Sequence, residues 1–209
     1  MTGTAQAAAP STPSWRGLVK LIRLPQWSKS VFVLVGPLYS IQDRVPEDPL
    51  GMAVGVAATA LLFALVSSAC YIFNDIQDAA ADRLHPRKRN RPIASGAVTP
   101  AAAIRVGAAL LVGAGLLLLL VPGASRWMVG GLAAIHLANV LTYSVFTKHR
   151  VILDVLSLSM GFVLRVLAGC AAALIEPSTW LLNVTLFLAM LLAFGKRLGE
   201  RRTIWQENP

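Results

Sequence analysis

Residues 52–73, MAVGVAATALLFALVSSACYIF, are 22 residues without one charged side chain. A run of roughly 18 or more apolar residues is long enough to cross a bilayer as a helix, which satisfies its own backbone hydrogen bonds there. Further apolar stretches lie near 27–42, 103–122, 127–146, 151–175 and 178–195. The sequence therefore predicts an all-α, polytopic transmembrane bundle of about six spans. Its first span is broken by Pro37. A mean hydropathy of +0.63 argues against a soluble domain of this length.

The formal net charge of +9 invites a nucleic-acid reading, but the distribution of the cations excludes it. Arg16, Lys20, Arg23 and Lys29 precede the first span, and the next connection mixes Arg44 with Asp43, Glu47 and Asp48. The third connection carries Arg83, Arg87, Lys88, Arg89, Arg91 and Arg105; the fourth has only Arg126. Lys148 and Arg150 follow, then Glu176 alone, then Lys196, Arg197, Arg201 and Arg202. Cation-rich connections thus alternate with cation-poor ones, as expected for a multi-pass cell-membrane protein with both termini in the cytoplasm. The first 15 residues are small and proline-rich, without a basic or apolar leader region, and read as a disordered tail ahead of a single transmembrane domain over 16–205. Cys70 and Cys170 both sit in apolar runs and read as packing residues.

The segment NDIQDAAADRLHPRKRNRP, residues 74–92, carries the first chemistry. Asp75, Asp78 and Asp82 fall at i, i+3 and i+7, one face of a helix, with Asn74 joined to them at i+4 from Asp78. Carboxylates at membrane depth are costly unless a cation meets them in a polar cavity. Mg²⁺ suits such oxygen ligands and commonly bridges carboxylates to substrate phosphates. Arg87, Lys88, Arg89 and Arg91 follow directly and could hold the remaining phosphate charge. A solvated helix end of mixed charge is the plainer alternative.

A second polar set lies in residues 143–169. Asp154, Ser157, Gly161 and Arg165 share one helical face, and Arg165 is about 16 Å deeper than Asp154. An arginine at that depth is a candidate functional residue, with a packing pair to Asp154 as the alternative. Tyr143 and Lys148 stand at the mouth of the same hairpin, and the two patches could close on one cavity.

The pattern NDxxDxxxD over Asn74–Asp82 resembles the first aspartate-rich motif of the UbiA-type intramembrane prenyltransferases. RLPQWSKS (23–30), YSVFTKH (143–149), GFVLRVLAG (161–169) and GKRLGE (195–200) make the chain most similar to the decaprenyl-phosphate phosphoribosyltransferases within that superfamily. The resemblance implies a helical bundle around a central cavity open to cytoplasm and lipid. Mg²⁺ on Asn74, Asp75, Asp78 and Asp82 would hold the diphosphate of phosphoribosyl pyrophosphate, while polyprenyl phosphate enters from the bilayer. The product would be a precursor of the lipid-linked arabinose donor for cell-wall arabinan. Asp75, Asp78, Asp82 and Asp154 are the expected catalytic residues. Asn74, Lys29, Arg87, Lys88, Arg89, Arg91, Tyr143, Lys148, Arg165 and Lys196 are the expected substrate ligands.

Two features depart from the superfamily pattern. Leu158 stands where a second D-x-x-x-D motif would place an aspartate, which weakens an aromatic prenyltransferase reading. About six of the family's nine helices are expected, the last three being absent. Transfer of a prenyl chain from prenyl diphosphate to a small acceptor, and a non-catalytic relative, are the alternatives; a homo-oligomer is left open.

Overall fold

A computed structural model describes residues 15–40, 48–147 and 151–207. Residues 1–14 of the expected tail lie outside it, as do Asp43, Arg44, Glu47, Lys148 and Arg150. Its α-helices are α1 (Trp15–Ile22), α2 (Phe32–Ser40), α3 (Pro49–Gln77), α4 (Ala79–Leu84), α5 (Pro100–Leu117), α6 (Gly123–Thr142), α7 (Val151–Ala172) and α8 (Thr179–Glu207).

Among the described residues, five helices (α3, α5, α6, α7 and α8) are long and apolar enough to cross a membrane. Residues 41 and 42 of the expected first span lie outside the described residues. A 3₁₀ segment over Leu24–Val31 leads into α2, which has nine residues and contains Pro37. Nine residues rise only about 14 Å, half of a hydrocarbon core.

Local signals start the long helices. Asp48 caps α3 by accepting from the Gly51 N–H at 2.9 Å, with Pro49 at the first helical position. Thr99 and Pro100 repeat this device for α5, with Thr99 Oγ1 accepting from the Ala102 N–H at 3.3 Å. Leu118–Leu120 then close the first turn of α5's exit as 3₁₀ helix, and Tyr143–Thr147 extend α6 as a π-turn.

The enclosed elements are α7 and α3, with 67% and 50% of their apolar windows buried against 17% for α5 and α8. Phe63, Leu62 and Val66 of α3 meet Leu164, Ala168 and Ala171 of α7 in the main core. Close approach of α2 to α7 depends on Gly169, where a Cβ would run into the Val33 backbone. Phe32 and Phe162 close the same contact edge to face, 4.7 Å between centroids. Cys70 and Cys170 are both buried free thiols. Large apolar side chains on α5, α6 and α8, such as Val112, Ile135, Phe187 and Leu191, face outward. In a membrane helix such a surface is the lipid contact, and the chain is a multi-pass membrane protein.

Candidate functional site

The acid cluster sits where α3 ends. Asp78 (φ −87°, ψ −2°) is the turn that separates α3 from α4, and the Asp78 and Asp82 N–H groups still donate to the Asn74 and Asp78 carbonyls. Asp75 and Asp82 stand on either side of that turn and meet the same Arg91 guanidinium. Asp75 and Asp82 are buried, at 2% and 3% exposure. Carboxylates so enclosed require cations, and two arginines supply them. Arg23 Nη2 donates to Asp75 Oδ1 at 2.5 Å, and Arg91 Nη1 lies 2.7 Å from Asp82 Oδ2 and 3.2 Å from Asp75 Oδ1. Asn74 Oδ1 is buried without a hydrogen-bond donor.

Two segments bring the arginines in from opposite flanks. The loop after α4 is anchored by Ile93, Ala94 and Val98, which are buried. Ile93 and Val98 pack with Leu21 of α1 and Ile72 of α3. That anchor leaves Arg87, Lys88 and Arg89 exposed beside the acids and turns Arg91 inward. On the other flank the α1 exit crosses α3. Ser68 donates to the Ile22 carbonyl at 2.7 Å, and Trp27 Nε1 donates to Ser68 Oγ at 3.0 Å. Arg23 between them adopts a left-handed conformation (φ 57°, ψ 48°), which costs an arginine about 1 kcal/mol or more. Its guanidinium lies over the Tyr71 ring, 4.9 Å from the centroid, and Lys29 Nζ donates to the Tyr71 hydroxyl at 3.2 Å. Lys29 and Arg23 thus meet the same Tyr71 side chain.

The second set divides in two. Asp154 is fully buried and pairs with Arg197 of α8, through both Nε and Nη2, while its Oδ1 has no partner. It does not pair with Arg165, whose depth in α7 takes it to other helices. Arg165 is 5% exposed; Nη1 donates to the Gly161 carbonyl and Nη2 to Ser67 Oγ, each at 2.7 Å. Nη2 also stands 3.4 Å from His136 Nε2. Guanidinium only donates, so His136 Nε2 is the acceptor and its proton sits on Nδ1, which is buried and unpartnered. Among the described residues no carboxylate lies within ion-pair distance of Arg165. Ser157, on the same face, accepts from Asn139 Nδ2 at 2.9 Å through its carbonyl.

Asp75, Asp82, Arg23 and Arg91 are thus brought together, with Asn74 and Asp78 next to them in the chain, Lys29 on the Tyr71 that Arg23 covers, and Arg87, Lys88 and Arg89 exposed on the loop that carries Arg91. Arg165 and Asp154 are not in that group, and Lys148 lies outside the described residues. Tyr143 begins the π-turn after α6, and Lys196 is exposed near Arg197. The cavity of about 380 Å³ lies between the α6 start and the α7 end, lined by Met128, Leu132, Leu167 and Ile175, and includes none of these residues. Sequence reasoning missed Arg23, Tyr71, Ser67, His136 and Arg197. His136 carried a signal, as the ionisable-type side chain inside a span; Arg23 and Arg197 were hidden among cations read as topology.

A polytopic bundle with an Asn-Asp cluster and a cationic loop at the end of a long membrane helix is the arrangement of an intramembrane transferase family. The chain belongs to the UbiA prenyltransferase family, which matches residues 30–198. It is 37% identical over 196 residues to a decaprenyl-phosphate phosphoribosyltransferase of Mycolicibacterium smegmatis, covering 92% of this chain and 59% of that protein. To the protein of the same name from Mycobacterium tuberculosis it is 35% identical over 188 residues, covering 88% of this chain and 60% of that one. The chain thus spans about three-fifths of the length of these relatives. The fold matches a UbiA homolog from Archaeoglobus fulgidus solved with GPP and Mg²⁺, with TM-score 0.63 and 19% identity over 83% of this chain and 60% of that one.

Proposed function

We propose that this chain forms the part of a membrane transferase that moves a 5-phosphoribosyl group from phosphoribosyl pyrophosphate to a polyprenyl phosphate such as decaprenyl phosphate. The observation that carries the reading is the α3 end itself. Buried oxygen ligands stand beside a cationic loop, in a chain 35–37% identical to phosphoribosyltransferases that act on decaprenyl phosphate. Oxygen-only donors suit Mg²⁺, and Asn74 Oδ1 is an acceptor with nothing to accept. Among the described residues no group of three or more acidic, histidine or cysteine side chains could hold a metal. Mg²⁺ usually takes one or two carboxylates and completes its shell with water and phosphate, so Asn74, Asp75 and Asp82 fit, with Asp78 adjoining. A metal there would supply charge neutralisation to the departing pyrophosphate.

The chain's own residues do the rest by position and charge. Arg87, Lys88 and Arg89 face solvent beside the acids, where they can receive the sugar 5-phosphate. Lys29 orients a phosphate entering from the α2 side. A polyprenyl phosphate oxygen attacks the anomeric carbon as the carbon–oxygen bond to pyrophosphate breaks, and the electron pair leaves with pyrophosphate. The nucleophile is already anionic, so no side chain is asked to remove a proton. Ser67, Arg165's partner, precedes Asp75 by eight residues, about 12 Å of helix.

A second reading is prenyl transfer, favoured by the A. fulgidus homolog's GPP complex and by 32% identity over 144 residues to a protoheme IX farnesyltransferase of Paramagnetospirillum magneticum. Pyrophosphate release separates the two. With decaprenyl phosphate, a small aromatic acceptor and Mg²⁺ all present, phosphoribosyl pyrophosphate should yield pyrophosphate and geranyl diphosphate should not. The opposite pattern would replace the first reading by the second.

A further inference from the structure

We propose that Arg23 and a divalent cation compete for Asp75, and that Arg23, once displaced, becomes a ligand to the incoming diphosphate, so that cation and diphosphate bind cooperatively. The inference rests on the reading that this site takes a diphosphate with a metal ion. Asp75 Oδ1 already accepts Arg23 at 2.5 Å and lies 3.2 Å from Arg91, and the residue is 2% exposed. An ion that takes that oxygen stands against both guanidinium groups already on it, like charge against like charge. Arg91 keeps a second anchor in Asp82 at 2.7 Å, whereas among the described residues Arg23 pairs with Asp75 alone. Arg23 is therefore the group that yields.

Its surroundings suit a pivot. The Gln26 N–H donates to the Arg23 carbonyl at 2.8 Å and Ser68 holds the Ile22 carbonyl, so the left-handed backbone is fixed. The side chain is 25% exposed and rests on Tyr71, which leaves it room to turn. Charge supplies the coupling. Arg23, Asp75, Arg91 and Asp82 sum to zero, so a divalent ion alone adds two uncompensated positive charges beside two guanidinium groups. A diphosphate cancels that excess and offers Arg23 new oxygens.

The test uses the full chain in lipid nanodiscs and reads Mn²⁺ binding from the EPR signal of the free ion, with and without inorganic pyrophosphate. Arg23→Asn removes the guanidinium while keeping a residue that tolerates left-handed backbone; Arg23→Lys keeps a charge without the fork. Mn²⁺ alone should bind Arg23→Asn about tenfold more tightly than the wild type. The gain in Mn²⁺ affinity from pyrophosphate, corrected for the complex formed in solution, should be about tenfold smaller in that variant. Arg23→Lys should fall between the two, and it decides the matter by the same comparison if the asparagine variant does not fold. Mn²⁺ affinity equal to or below wild type in the folded variant overturns the proposal. No transfer assay enters this result, so a failed phosphoribosyl reading and a failed competition between arginine and metal give different outcomes.

Discussion

Asp75→Asn and Asp82→Asn are each expected to lower phosphoribosyl transfer by about 1,000-fold while leaving the protein folded in the membrane. Losing one preorganised group that stabilises developing negative charge typically costs between about 100-fold and 1,000-fold, and each carboxylate would act there by holding the metal ion. Here the carboxylates also fix the arginines, so the upper figure applies. The fold should survive because asparagine has nearly the same shape. Arg23 and Arg91 each keep 25% side-chain exposure and can turn to water when a carboxylate is neutralised. The check is transfer rate alongside monodisperse elution in detergent. A wild-type rate in either variant would remove that residue from the site.

Arg91→Met is expected to lower stability by about 3 kcal/mol. Arg91 neutralises Asp82 at 2.7 Å and shares Asp75 with Arg23, and both carboxylates are almost wholly enclosed. Without it Asp82 is a buried anion lacking its arginine. The double change Arg91→Met with Asp82→Asn should recover most of the loss, since the stranded charge is gone. Thermal unfolding in one detergent, compared across the four proteins of this cycle, measures both effects. An Arg91→Met protein that melts with the wild type would show that the buried acids need no arginine there.

How far these features could be read from the sequence depends on what each one required. Long, mostly apolar runs found the five long helices, because length and composition alone define a membrane-crossing helix. That criterion could not show that residues 24–31 form a 3₁₀ segment ahead of the nine described residues of α2, which contain Pro37. The three-and-four spacing of the aspartates correctly made them neighbours. It could not show the turn at Asp78, which depends on backbone angles at one residue. Arg165 was expected at depth and is buried, yet its partners Ser67 and His136 come from α3 and α6. Shared helical periodicity placed Arg165 on a face with Asp154; it could not foresee that Asp154 meets Arg197 from α8, 43 positions away. Arg23 was the hardest to find. Among cations that mark topology, only the crossing of α1's exit over α3 distinguishes it from Arg16 or Lys20.

The central claim is that a phosphoribosyl group ends on a polyprenyl lipid. Nanodiscs carrying the chain and decaprenyl phosphate, supplied with Mg²⁺ and phosphoribosyl pyrophosphate labelled in the ribose, test it directly. The account predicts label in the butanol-extracted lipid, at the mass of decaprenyl phosphate plus one phosphoribosyl group, and its loss with EDTA. Ribose label that stays wholly in the aqueous phase, from well-folded protein with both substrates present, would contradict it.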